Sequence, residues 1–410
     1  MEAESPCPRS VLLITDRYPP HVGGLARASA RLAAHASAAG IRTEVLVLRG
    51  EGASGASRSR REGNVLVHRL GQSRSPVELG ETTALVLDWL HHRTGYELFH
   101  GQYAGTGGFF AVHTARLFGA ASYVSLRGND LERDVYDPSR FAQVEWTLRH
   151  AGAIGGVSRS LVRQAEALTG RRDIRFTPNS VDTDLFRPRD GDLLQPVPSP
   201  ENAQGGQPEE AADSAAIHPA LPGRPRLGFI GELRGKKGAA YLLDAFRAVA
   251  GHTEASLVLV GAIRPEIQPL LTELREDEPA LDARIRHVPY VHDPAALCML
   301  YCELDLVLSP SLREGMPNSV LEALACARPV LASDAGALPD LIRQGETGWI
   351  LSRHELHRLG EAAREILELP VAARSAVGVR GRDWVRTHFS PERERRELLD
   401  GYALALARST

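Results

Sequence analysis

The chain has 410 residues, with 48 Lys and Arg against 51 Asp and Glu, for a net charge of −3. That length is too great for one ordinary domain and suits two of roughly 150–200 residues. With 43% hydrophobic and 24% charged residues, each can bury a core, and the near-neutral balance argues against nucleic acid as the main partner. Ser10–Thr15 (SVLLIT) opens the pattern as a short β-run. Tyr18-Pro19-Pro20 must then be extended or turned, because proline disfavours helix in the residue before it. Gly23 and Gly24 allow a tight turn and close backbone approach to a ligand, Leu25–Ala38 is helix-prone, and Thr43–Leu48 is the next strand. Strand, glycine turn, helix and strand make one βαβ unit, and a bare glycine turn at a helix start can hold phosphate.

Gly50–Arg61 reads as a flexible loop by composition, and its basic run Arg58-Ser59-Arg60-Arg61 reads as a solvated face before a lipid contact. Val65–Leu70 reads as a strand and Thr82–His91 as a helix. Leu98-Phe99-His100-Gly101 ends a strand, Phe109–Phe118 is helical, and Ser122–Leu126 is a strand followed by Arg127-Gly128-Asn129-Asp130. Loops at the carboxyl ends of parallel strands are where α/β folds bind ligands, so this tetrapeptide is a candidate site. Helix Phe141–His150, strand Ala153–Ser158, helix Ser160–Leu168 and strand Ile174–Asn179 follow. Arg189–Arg226 is rich in Pro, Gly, Gln and acidic residues and reads as a linker or insertion.

The second half resumes with strand Arg226–Ile230, then Gly231-Glu232-Leu233-Arg234-Gly235-Lys236-Lys237-Gly238 and helix Tyr241–Ala250. A basic, glycine-flanked loop between strand and helix fits anion binding. Strands Ser256–Val260, Ile285–Tyr290, Asp305–Ser309, Val330–Ser333 and Thr347–Leu351 come next, and the chain is largely helical beyond Glu355. Between Ser309 and Pro329 lies SPSLREGMPNSVLEALACARP. Pro317 suits the first position of a helix running from Asn318, with Glu314 in the loop ahead and Glu322 more than one turn inside. Amides at such a start can hold an anion, and the two carboxylates can accept from sugar and ribose hydroxyls. The arrangement suits a ligand with sugar, diphosphate and nucleoside in a row. An ordinary capped helix with two surface glutamates is the plain alternative.

Four cysteines, Cys7, Cys298, Cys302 and Cys326, form no C-x-x-C pair. Cys298 and Cys302 share one helix face and read as small buried hydrophobes rather than metal ligands. Scattered reduced thiols point to the cytoplasm. The start MEAESPCPRS lacks the basic opening of a signal peptide, and no apolar run approaches the ~18–20 residues of a membrane span.

The E-x7-E stretch from Glu314 to Glu322, set in EGMPNSVLEALACARPVLASDAGALPDLI, resembles the C-terminal signature of retaining glycosyltransferases of family 4. PPHVGG after the first strand, TPNSVD before Phe186 and the basic loop around Lys237 match that family in the same chain order. The resemblance runs from Ser10 to about Phe389. It implies an α/β GT-B fold, two doubly wound Rossmann-like domains facing a cleft, with boundaries expected at 1–188 (acceptor-binding), 189–225 (linker), 226–390 (nucleotide-sugar-binding) and 391–410 (a helix packing back on the first domain). It implies transfer of a sugar, with retention, from a UDP- or GDP-type donor to an acceptor hydroxyl or amine. No cofactor or bound metal is implied. Peripheral membrane contact and oligomeric state stay open.

The resemblance assigns Glu322 to the donor ribose, and Glu314 with Gly315, Met316, Pro317, Asn318 and Ser319 to the sugar. Lys237, with Arg234 or Lys236, falls on the departing diphosphate, and so do Gly23 and Gly24. Tyr290 and Val291 are candidates for the nucleobase, with a core role as their equal alternative. His100, Asn129 and Asp130 lie on the acceptor side. Arg127 stands where many relatives have His, and can stabilise the diphosphate or hold Asp130. Glu232 replaces the family's usual Arg. These two departures support the alternative of a catalytically weak binding subunit. Against a GT-B enzyme that is not a transferase, such as a nucleotide-sugar epimerase or a phosphorylase, stand the E-x7-E block and the lack of a pyridoxal-type lysine context, and a nicotinamide dehydrogenase is opposed by PPHVGG in place of G-x-G-x-x-G.

Overall fold

In the computed structural model, residues 7–50, 52–53, 55–189 and 223–409 are described. They fall into two compact units, one formed by the chain up to Asn179 together with Pro391 onward, the other by Ser180–Ser390. Residues 190–222, most of the linker expected at 189–225, lie outside the described residues.

The first unit is built on β1 (Ser10–Thr15), β2 (Arg42–Val47), β3 (Ser57–Glu62), β4 (Val65–Leu70), β5 (Leu98–Gln102), β6 (Ala121–Leu126), β7 (Ala153–Gly156) and β8 (Arg175–Phe176). They form one sheet in the order β3-β4-β2-β1-β5-β6-β7-β8, parallel throughout except for β3 against β4. Its helices are α1 (Gly24–Ala38), α2 (Pro76–Thr94), α3 (Thr106–Phe118), α4 (Asn129–Glu132), α5 (Pro138–His150) and α6 (Arg159–Thr169). The run SVLLIT is buried from end to end, as a strand covered on both faces must be. Its alternate residues enter two separate cores. Val11 and Leu13 join Leu32, Ala33, Val45 and Tyr402, whereas Leu12 and Ile14 join Leu46, Leu87, Leu90 and Phe99.

The second unit carries β9 (Arg226–Ile230), β10 (Ser256–Val260), β11 (Ile285–Val288), β12 (Leu306–Ser309), β13 (Val330–Ser333) and β14 (Trp349–Leu351). This sheet is wholly parallel, in the order β11-β10-β9-β12-β13-β14. Its helices are α7 (Ala239–Ala250), α8 (Gln268–Asp277), α9 (Pro279–Asp282), α10 (Pro294–Cys302), α11 (Asn318–Ala325), α12 (Leu338–Leu341), α13 (Leu359–Glu368) and α14 (Val371–His388). The last helix, α15 (Pro391–Ala407), belongs to the first unit, where Leu398, Tyr402 and Ala405 fill the α1 face of the sheet. Among the described residues no helix is long and apolar enough to cross a membrane.

Two expectations need correction. Residues 57–61, read as part of a loop, belong with Glu62 to the edge strand β3, paired residue by residue with β4. Exposure explains the composition: an edge strand tolerates Ser and Arg where a central one would not, and β4 supplies the template. Pro317 precedes α11 rather than opening it. Its backbone is extended (φ −76°, ψ 117°), and its carbonyl accepts from Val320 and Leu321 at 3.2 and 3.3 Å.

Candidate functional site

Strand order reverses direction between β9 and β12, and the loops leaving those two neighbours form the switch point of the second sheet. The first loop runs from Gly231 to Gly238 and the second from Pro310 to Pro317. Main-chain bonds tie them: Leu312 N–H donates to the Lys236 carbonyl at 2.9 Å. Gly238 sits in the left-handed region (φ 77°), and a Cβ there would fall 2.0 Å from the Pro310 carbonyl oxygen. A third loop, after β13, backs the second. Ala337 N–H donates to the Gly315 carbonyl at 2.9 Å. A Cβ on Gly336 (φ 56°) would lie 1.6 Å from the Glu314 carbonyl oxygen. Glycine is required at both positions because the loops could not close otherwise.

This packing brings Lys237 and Glu314 into direct contact, with side chains 17% and 12% exposed. Ser311 Oγ adds a bond to the same carboxylate oxygen at 3.4 Å. Burial pushes the Glu314 carboxyl up, but Lys237, with Lys236 and Ser311, more than offsets this and holds it below its usual value. Glu322 lies one helix turn further in. It is 3% exposed, and the Tyr301 hydroxyl donates to its Oε2 at 3.0 Å. Met316 and Pro317 are buried, while Gly315, Asn318 and Ser319 are half-buried. The residue before α11 makes no side-chain capping bond, and the first turn of the helix holds no acidic residue. Tyr290 is 37% exposed, which removes its core reading; its ring meets His292 edge-on at 4.8 Å, and Val291 beside it is half-buried.

The departure at Glu232 has a local explanation. Its carboxylate pairs with Arg234 at 3.1 Å and with Arg264 at 2.5 Å. Arg264 was missed by sequence reasoning. It follows β10 through Gly261-Ala262-Ile263, so its place just past a strand's carboxyl end was the available signal. Two arginines on one glutamate leave the loop cationic, which an Arg at position 232 would have done alone.

The candidates in the first unit behave differently. Gly23, at φ 126° and ψ 167°, is the residue before α1, a conformation suited to glycine, and a Cβ on Gly23 or Gly24 would meet open space. No side chain caps that helix start either. His100 is fully buried. Its Nδ1 lies 2.8 Å from the Tyr402 hydroxyl, and its Nε2 lies 2.8 Å from Ser125 Oγ. Burial, with Arg127 adding to it, pulls its pKa down to about 3. An acceptor cannot reach it, so the acceptor-side expectation for His100 is corrected: it joins β5, β6 and α15. Asp130 is also fully buried and corrected in the same way. Its Oδ2 accepts from the Arg127 main-chain N–H at 2.7 Å, and burial pushes its carboxyl up to about 7. The Arg127 guanidinium donates instead to Gln102 Oε1 and Asn179 Oδ1, each at 2.8 Å. It therefore does not hold Asp130 through its side chain, and it is no surface ion pair. Asn129 stays half-buried. The first sheet's own switch point, between β1 and β5, is flanked by Asp16 and Tyr103, which sequence reasoning passed over. Burial raises the Asp16 carboxyl above its usual range despite Arg49 and Arg17 nearby.

Comparison with known proteins gives this architecture a family. Residues 23–180 match the family described as Glycosyl transferase 4-like domain, and residues 224–369 match Glycosyl transferases group 1. With both units matched, the chain belongs to the group 1, 4-like glycosyltransferase family. Over 190 residues it is 34% identical to a lipopolysaccharide core biosynthesis mannosyltransferase, LpcC, of Rhizobium leguminosarum bv. viciae, covering 46% of this chain and 53% of that relative. Over 351 residues it is 27% identical to a D-inositol 3-phosphate glycosyltransferase of Mycobacterium tuberculosis, covering 81% of this chain and 67% of that one. The chain thus spans about half to two thirds of the length of these relatives. Among solved structures, a sucrose-phosphate synthase from Thermosynechococcus elongatus superposes with a TM-score of 0.74 at 19% identity, over 95% of this chain and 96% of its own. Anabaena HepE, in complex with UDP, gives 0.71 at 16%, over 95% and 98%. At such identities the likeness carries the fold alone, which is GT-B, with two Rossmann-like parallel sheets.

Proposed function

We propose that this chain transfers a sugar from a nucleotide-diphosphate donor to an acceptor hydroxyl or amine, with retention at the anomeric carbon. The reading rests above all on the Lys237–Glu314 pair at the switch point of the second sheet, beside the uncapped start of α11. Family membership and the nucleotide complexes of structural neighbours add support. In this reading the second unit binds the donor. Glu322 takes the ribose diol, Glu314 with Gly315, Met316, Pro317, Asn318 and Ser319 takes the sugar hydroxyls, and Tyr290 and Val291 flank the base. Lys237 leaves the carboxylate for the diphosphate when donor enters, with Lys236 and Arg234 adding charge. Gly23 and Gly24, at the start of α1, are read as phosphate-binding through their main-chain amides. The first unit binds the acceptor, with Asn129 on that side.

During reaction the bond from the anomeric carbon to the diphosphate breaks and an acceptor bond replaces it. Orientation of donor and acceptor and stabilisation of the departing charge supply most of the rate. No metal or organic cofactor is assigned a role in the transfer, and the reaction is read as cytoplasmic, with peripheral membrane contact left open. Thermal shift with UDP, GDP, ADP and CMP tests the reading. One nucleotide should stand out, since a ligand at 100 times its dissociation constant stabilises by about 2.7 kcal/mol. Its effect should vanish in Glu322→Ala. No shift with any of the four would overturn donor binding. The rival reading, a binding subunit without catalysis, draws on Glu232, and donor hydrolysis by the purified chain would oppose it.

A further inference from the structure

Behind Glu322 lies a group of sulfurs that sugar transfer does not use. Cys298 and Cys302 stand one turn apart on α10, and Cys326 follows the last turn of α11. Their three Sγ atoms all lie within 4.8 Å of one another, with Cys298 and Cys326 at 3.7 Å. Cys302 and Cys326 are buried and Cys298 is half-buried.

The surroundings hold these sulfurs in place. Arg328, itself buried, donates from Nε to the Cys326 carbonyl and from Nη1 to the Cys302 carbonyl, each at 3.0 Å. One guanidinium thus pins the two backbones that present the thiols. Arg382 donates to the carbonyls of Phe186 and Thr183, both at 2.9 Å, and to Ala325, fixing the preceding loop against the end of α11. That loop brings the Arg187 carbonyl oxygen to the cluster, where it accepts from Cys298 Sγ at 3.3 Å and Cys302 Sγ at 3.5 Å.

An ion about 2.3 Å from each of three sulfurs requires sulfur separations of roughly 3.7–4.0 Å. The Cys298–Cys326 separation already meets that, and the other two need a contraction of at most about an ångström. A disulfide needs about 2.05 Å between two sulfurs, a larger movement that would leave the third thiol without a partner. Among the described residues no His, Asp or Glu joins this group, so the donor set is all sulfur and suits soft metals.

We propose that Cys298, Cys302 and Cys326 form a three-thiolate site for a thiophilic metal ion of the zinc(II) or copper(I) class. The ion clamps the end of α10 to the end of α11. Both ends lead to Glu322, because the Cys326 N–H donates to the Glu322 carbonyl at 3.0 Å and Tyr301, next to Cys302, holds its carboxylate. The site is a brace and takes no part in sugar transfer, so it stands whether or not the transferase reading does.

The test uses the full chain, reduced, stripped of metal and kept anaerobic. Titration with cadmium(II) should raise a thiolate charge-transfer band that saturates at about one equivalent, with an intensity matching three thiolates. Zinc(II) and copper(I), added in separate arms, should displace it, and the stronger competitor identifies the preferred ion. Loaded protein should leave one of its four cysteines, Cys7, reactive toward a thiol reagent. Cys298→Ser, Cys302→Ser and Cys326→Ser should each weaken zinc binding by about 100-fold or more, while Cys7→Ser changes nothing. Should a variant fail to fold, X-ray absorption on the loaded wild type still decides, since it must find three sulfurs around the ion. Saturation without a thiolate band, equal affinity in the serine variants, or a chain two hydrogens lighter that binds no metal would each overturn the site.

Discussion

The two sheets treat the charges at their carboxyl ends in opposite ways. In the first, Arg127 is spent on the side-chain oxygens of Gln102 and Asn179, and His100 and Asp130 are sealed from solvent. In the second, Lys237 and Glu314 neutralise one another across two loops, each still partly exposed. A guanidinium held by directional bonds is a fixture. An ammonium on a flexible stem, resting against one carboxylate, can exchange that partner for a phosphate at little cost. Equal-looking charged motifs in the sequence therefore sort into fixed and exchangeable charges by what the fold leaves them to bind.

The largest effect expected from this contrast is on rate. Lys237→Ala should lower transfer by about 10²–10³, measured by product formation at saturating donor on the folded variant. Normal turnover in that variant would erase the distinction between the sheets. Gly336→Ala comes next. Strain at φ 56° and the clash with the Glu314 carbonyl should cost roughly 2–4 kcal/mol in a denaturant melt and blunt the nucleotide-induced thermal shift. In the first sheet the expected readout is reversed. His100→Phe leaves the Tyr402 and Ser125 hydroxyls without their ring partner, which should cost about 1–3 kcal/mol with kcat within about twofold.

The pH dependence follows with its sign. In the unfolded chain His100 takes a proton near 6.5, and in the folded chain only near 3. Between those values the unfolded state binds more protons, so this residue's contribution is intact above 6.5 and lost as pH falls toward 3. The slope is at most about 1.4 kcal/mol per pH unit. Denaturant melts from pH 7 to 4 should show a shallower acid decline in His100→Phe than in the wild type. The smallest effect belongs to the edge strand. Replacing Arg58, Arg60 and Arg61 with Ser should move stability by no more than about 0.5 kcal/mol and leave transfer alone, but raise light scattering on concentration, because those charges deter strand pairing between molecules.

Much of this was legible in the chain. SVLLIT, RLGFI, SLVLV and VLAS carry the buried-strand pattern on their faces, and β1, β9, β10 and β13 begin and end where those runs do. The E-x7-E stretch located the loop-and-helix geometry of Glu314 and Glu322 because spacing along one short helix is a local property. What stayed hidden was nonlocal. Nothing near His100 announces that Tyr402 will cover it, and nothing near Glu232 announces Arg264. The β3 strand exists because β4 templates it, against its own composition. Cys326 reaches Cys298 and Cys302 only once two helices from different strand connections pack together.

The seating of α15 in the first unit also has a kinetic consequence. His100 and Tyr402 are 302 positions apart. At about 5–20 residues per second, a ribosome needs roughly 15–60 s to travel from one to the other. Throughout that interval the α1 face of the first sheet waits without Leu398, Tyr402 and Ala405, while every residue of Ser180–Ser390 emerges. The half of the protein made first is therefore the half completed last, and the nascent chain carries an open apolar face for which a chaperone is the natural interim cover.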